Sequence, residues 1–167
     1  MRLARIFGNL FSGPWLASWR FPRSAMHAIE QAIADSERTH SGEVRFAVEA
    51  ALPLRHLWCG VTARERAVEL FSQLRIWDTE RNNGVLIYLL LAERDVEIIA
   101  DRGAHALIGS ASWETICRAM EAEFRADRFE AGVLLGITRI TALLQQHFPP
   151  HAQGPNHNEL PDAPLVL

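Results

Sequence analysis

Between Glu43 and Glu49 polar and apolar residues alternate without a fault, the two-residue period of a strand with one face buried. Val85 to Ala92 is instead an unbroken apolar run of strand length, which predicts a central strand covered on both faces. Glu93-Arg94 makes a tight turn into Asp95–Ala100, the hairpin partner. Around these strands the period becomes helical. Ser24 is placed to cap a helix running to about Thr39, with Ile29 and Ile33 inward. Thr62-Ala63-Arg64-Glu65 is a capping-box sequence opening a helix to about Arg75, with Ala67, Leu70, Phe71 and Leu74 inward. Ser112 is placed to cap another, whose Trp113, Ile116, Cys117, Met120 and Phe124 share one face. A last helix spans Phe129 to His147. The stretches Leu52–Val61 and Asp101–Gly109 are expected to be loops.

The predicted order is therefore α-β-α-β-β-α-α. A strand, helix, strand passage implies a right-handed crossover and parallel pairing, and the hairpin adds an antiparallel strand. The expected fold is an α/β three-layer α/β/α sandwich, a small mixed sheet with helices on both faces.

The two ends differ from this body. Residues 1–20 carry arginines and no acid, and Leu3, Ile6, Phe7, Leu10 and Phe11 recur at helical spacing before Gly13-Pro14. Trp15 and Trp19 extend the apolar run. This is the character of an interfacial helix, expected to dock on a weak membrane surface, a protein partner or a second copy through Ile6, Phe7, Leu10, Phe11 and Trp15. Residues 149–167 hold five of the eight prolines and no periodicity, so a disordered tail is expected. The domain proper then covers residues 21–148.

Charge and composition narrow the function mainly by exclusion. All 17 basic side chains are arginine, scattered over a chain of net charge -3, with no basic stripe for nucleic acid. Cys59 and Cys117 make no disulfide framework, which favours a reducing, cytoplasmic setting. No window has the roughly 18 apolar residues of a membrane span, and the N-terminal run lacks the continuous apolar core of a signal peptide. Trp77 and Trp113, at element edges, read as core.

Catalytic signatures are equally sparse. Cys59 precedes Arg64 with a spacing that misses the cysteine-phosphatase cradle. The chain has no Asp-x-Asp, no Gly-x-Ser-x-Gly and no lysine for a phosphate loop. His27, His40, His56 and His105 show no ligand spacing, and Pro149-Pro150 separates His147 from His151 and His157.

Ser41-Gly42-Glu43-Val44, Asn82-Asn83-Gly84-Val85-Leu86-Ile87, Ala100-Asp101-Arg102-Gly103 and Phe124-x4-Phe129-x2-Gly132 stand in the order and spacing of the TPM-domain family, which this chain resembles over about Phe21 to Phe148. Ala100 departs from the glycine common before the aspartate, and Ala104-His105 stands where an isoleucine is typical. The resemblance implies a Rossmann-like α/β/α sandwich. The roles proposed in the family are diverse, among them phosphatase activity, photosystem repair, receptor accessory work and divalent-ion binding, so the fold leaves function open.

The topology adds one candidate site. The end of the third strand lies beside the start of the second, so Asp101 and Arg102 should meet Arg81, Asn82 and Asn83, with Glu43 arriving at the same rim. Carboxylates with amide carbonyls nearby suit a hard divalent cation such as Ca²⁺, with Thr79 and Asp78 as further oxygen donors and Arg81 and Arg102 as binding residues. The plainer reading makes Asn82-Asn83-Gly84 turn chemistry, Asp101 a cap and Glu43 an arginine partner. A binding or accessory module, a cation-dependent phosphatase-like hydrolase, and a structural, oligomeric or membrane-peripheral protein all remain open.

Overall fold

The computed structural model describes Asn9, Gly13, residues 15–150 and residues 158–167. Among the described residues seven helices and four strands follow in chain order: α1 Trp15–Arg20, α2 Arg23–Glu37, β1 Glu43–Glu49, α3 Leu54–Cys59, α4 Ala63–Gln73, β2 Gly84–Leu90, β3 Asp95–Ala100, α5 Arg102–Ile108, α6 Ser110–Arg125, α7 Phe129–His147 and β4 Leu165–Val166. The sheet order is β3-β2-β1-β4, with β1 parallel to both neighbours and β2–β3 antiparallel. This is the mixed-sheet α/β/α sandwich that the periodicity predicts.

Each face of the sheet has its own core. Val44, Phe46 and Val48 of β1 join Val85, Ile87 and Leu89 of β2 beneath α2, α6 and α7, where Phe124 stacks on Phe129 at 5.4 Å between centroids. Ala47, Leu86, Tyr88, Leu90 and Ile99 face the other way, onto Ala67 and Leu70 of α4. The capping box forms as read: the Thr62 hydroxyl accepts from the Glu65 N–H, and the Glu65 carboxylate accepts from the Thr62 N–H.

Several expectations are corrected. The β1 alternation is real, but all seven of its residues are buried. The face carrying Glu43, Arg45 and Glu49 is covered by α4 and by the C-terminal segment, which no local period announces. That segment is the second correction. Residues 158–167 are not a disordered tail: Leu165 and Val166 pair with Ala47 and Val48, Leu160 is buried, and the Arg45 guanidinium donates to the Pro161 and Ala163 carbonyls. Two stretches expected as loops contain the short helices α3 and α5, each stopped by a positive-φ glycine, Gly60 or Gly109. Neither expected serine cap acts as one. Helix α2 starts after Pro22, and Ser112 lies inside α6, its hydroxyl donating to the Ile108 carbonyl. Trp113 is core, whereas Trp77 is 49% exposed.

Ile6, Phe7, Leu10 and Phe11 lie outside the described residues. Trp15 and Trp19, one turn apart on α1, are both exposed, while Ala17 between them is buried. No helix among the described residues is long and apolar enough to cross a membrane.

Candidate functional site

The rim at the start of β1 and β2 gathers the predicted residues. Glu43 is in register with Gly84, and Asp101 donates its N–H to the Gly84 carbonyl at 2.8 Å, so Glu43 and Asp101 do reach the same rim. They stand on opposite sides of β2, two strand spacings or about 10 Å apart. Ile76 fills the space over Gly84, where a Cβ would fall 2.1 Å from the Ile76 carbonyl oxygen. The rim is therefore two sites.

One half is built by the backbone of residues 79–84 against the first turn of α5. Thr79 Oγ1 accepts from the Asn83 N–H at 3.1 Å, and Asn82 takes a left-handed φ of 51° that asparagine tolerates. Its carbonyl accepts from the Ala104 N–H at 3.2 Å. Gly103 is required there, since a Cβ would sit 2.6 Å from the same carbonyl oxygen. Asp101 caps α5, its Oδ1 accepting from the Arg102 N–H at 2.6 Å. Asn83 Nδ2 donates to the Ser41 carbonyl at 2.5 Å. What remains is unusual: Asn83 Oδ1 and Asp101 Oδ2 are both buried, and neither has a hydrogen-bond partner among the described residues. Buried acceptors of this kind are normally satisfied, and leaving one unpaired costs about 1–3 kcal/mol.

The other predicted residues turn elsewhere. The Arg81 guanidinium donates to Ser41 Oγ at 2.8 Å and lies over the Phe148 ring, away from Asp101. Arg102 and Asp78 are exposed. Among the described residues no cluster of three or more His, Cys, Asp or Glu side chains is arranged to hold a metal, so a cation at this rim would rest on amide, hydroxyl and main-chain oxygens around one carboxylate.

Glu43 belongs to the second half, which the sequence reading missed. Its Oε2 accepts from the Leu160 N–H at 3.1 Å, and Glu37 Oε1 accepts from the Val44 N–H at 2.8 Å. Burial raises the Glu43 carboxyl to about 7, and burial together with the nearby Glu43 raises Glu37 to about 9. Asp162 adds its field to both, so the C-terminal segment is seated on partly protonated acids. The plainer expectation, that Glu43 pairs with an arginine, is not met among the described residues.

Two further polar networks lie in the interior. Beneath the rim the Gly42 N–H donates to His40 Nδ1 at 3.2 Å, which makes Nε2 the protonated nitrogen. Nε2 then donates to Ser36 Oγ at 2.8 Å, Ser36 to Thr141 Oγ1 at 2.6 Å, and Thr141 to the Ile137 carbonyl at 2.7 Å. Burial lowers His40 to about 4, consistent with a neutral link in this chain. At the opposite end of the strands Glu49 accepts from Tyr88 Oη at 2.6 Å and from Arg66 Nε and Nη2 at 2.9 and 3.1 Å. Arg66 also reaches Glu69. Glu49 and Arg66 are 17 residues apart in the chain, and only tertiary pairing joins them: β1 directs Glu49 toward α4, and α4 directs Arg66 back. His40 and Ser36 in the first network and Glu49, Tyr88 and Arg66 in the second are buried, while Thr141 and Glu69 lie at the partly exposed ends.

Comparison with known proteins agrees with the fold. The family model of the TPM domain matches residues 21–143. The solution structure of the BA42 protein from the psychrophilic bacterium Bizionia argentinensis is 27% identical, with a TM-score of 0.75, over 86% of this chain and 92% of that one. The N-terminal domain of a P. gingivalis protein shares the fold at 17% identity, with a TM-score of 0.62, over 77% of this chain and 81% of that one. No curated protein matches.

Proposed function

This chain belongs to the TPM-domain family, and from that premise we propose that it is a binding or accessory module whose sheet rim takes a divalent cation. One observation carries the reading. Asn83 Oδ1 and Asp101 Oδ2 are buried acceptors without partners among the described residues, on two segments of one rim that are hydrogen-bonded to each other. A cation of the Ca²⁺ class takes oxygen ligands, and Thr79 Oγ1 and the carbonyls of the 79–84 turn are the neutral oxygens at hand. Glu43 is left out of the ligand set, because its carboxyl serves the Leu160 N–H beyond Gly84.

A calcium titration followed by amide NMR tests this. Amides of residues 82–84 and 101–103 should shift at millimolar ion, and Asp101→Asn should abolish the response while the rest of the spectrum stays dispersed. An unmoved spectrum would remove the cation. Turnover of a generic phosphomonoester that disappears in Asp101→Asn would replace the module with a hydrolase using the same carboxylate.

A further inference from the structure

The sheet ends on a full-length strand at one side and on the two-residue β4 at the other. β3 is a terminal strand in the order β3-β2-β1-β4, with α4 packed on one face and α6 on the other. Along it runs a trough of about 480 Å³, floored by β3 and walled by Arg64 and Val68 of α4 and by Trp113 and Cys117 of α6.

The phase of the backbone along β3 follows from one bond. Asp101 gives its N–H to Gly84, and bonded pairs alternate in an antiparallel ladder, so Asp95, Glu97 and Ile99 also turn their N–H and C=O groups toward β2. Val96, Ile98 and Ala100 direct theirs into the trough. The Ile98 N–H is met by the Cys117 thiol. The Val96 and Ala100 N–H groups and all three carbonyls are bonded by no described residue. A row of this kind is a template for one more strand. The indole N–H of Trp113, in the trough wall, is buried and has no acceptor among the described residues either.

The charge of the trough selects the occupant. Asp95, Glu97, Glu114 and Glu121 line it against Arg64 and Arg118; Arg64 is already paired with Glu97 at 2.9 Å and Glu121 with Arg125 at 3.4 Å, so the exposed Glu114 is the acid on which the choice of occupant turns. A second copy of this chain would bring the same acids edge to edge, like against like, which disfavours it. We propose that β3 accepts an extended peptide segment rich in basic residues, added to the sheet as a fifth strand. Its main chain would pair with the Val96 and Ala100 N–H groups and the carbonyls of Val96, Ile98 and Ala100, and its arginines or lysines would meet the carboxylates of β3 and α6. This surface is separate from the rim, and the proposal stands whether or not a cation binds there.

The test uses the full chain and a capped peptide of alternating arginine and valine, about ten residues long, with alternating glutamate and valine as the control. The basic peptide should shift the amides of Val96, Ile98 and Ala100 and the Trp113 indole N–H, and should slow exchange of the Val96 and Ala100 amides. Glu114 is exposed, so Glu114→Arg should fold as the parent and bind the basic peptide about fivefold more weakly. Equal response to the acidic peptide, silence at β3, or an unchanged affinity in Glu114→Arg would overturn the proposal. Shifts at β3 that appear on concentrating the protein alone would assign the edge to a second copy and overturn it too.

Discussion

At the scale of single residues the most demanding position is Arg66. Its guanidinium and the Glu49 carboxylate are both buried and meet in a two-bond fork, with the Tyr88 hydroxyl on the same carboxylate. Removing one member of such a pair strands a charge in a low-dielectric interior, so Arg66→Ala should cost about 3–5 kcal/mol in a denaturant titration. A loss below about 1 kcal/mol would mean that water reaches Glu49. The sequence offers both residues in plain view, but as a solvated strand position and a helix charge. Only the packing of α4 against the sheet turns them into partners. Asp101 illustrates the converse. Its place at the rim and its cap on α5 are legible from the hairpin and the turn residues, whereas the orphan oxygen beside that cap is a matter of three-dimensional packing.

At the scale of elements, strands were the most legible. Their period is set by the backbone alone, so β1 and β3 fall at Glu43–Glu49 and Asp95–Ala100 as the alternation and the hairpin predict. Short helices were not, since α3 and α5 have one or two turns and no room to show a period. The C-terminal strand was the least legible. Leu165 and Val166 follow a proline-rich stretch, and their order comes from β1 and from Arg45. This docking has a pH dependence. Glu43 is raised by burial to about 7 from an unfolded value near 4.5, so the folded chain holds a proton that the unfolded chain releases. The stabilisation is complete below 4.5 and is lost as the pH rises through 7, and Glu37 extends the loss toward 9. His40 has the opposite sign: lowered to about 4, it stabilises fully above about 6.5 and less as the pH falls. The difference between parent and Glu43→Gln isolates the first effect. Between pH 5 and 8 the thermal midpoint of the parent should fall relative to the variant, whose amide still accepts from Leu160. Parallel curves would place Glu43 in contact with water.

At the scale of the whole molecule, the chain is a sandwich with a closed interior and two open features, a rim with unmet acceptors and an edge with unmet donors and acceptors. The fold follows from periodicity and is shared with relatives of low identity, so it constrains function little. The distinguishing chemistry lies where adjacent segments meet at the rim: Asp101 and Asn83 stand on the two segments that flank Gly84, and Glu43, whose N–H donates to the Asn83 carbonyl, turns its carboxylate to the Leu160 N–H. The most direct measurement is anomalous diffraction from crystals grown with calcium or manganese. An ion peak within about 2.3–2.6 Å of Asp101 Oδ2 is the predicted result. A water in that position, or an ion bound only elsewhere, would contradict it.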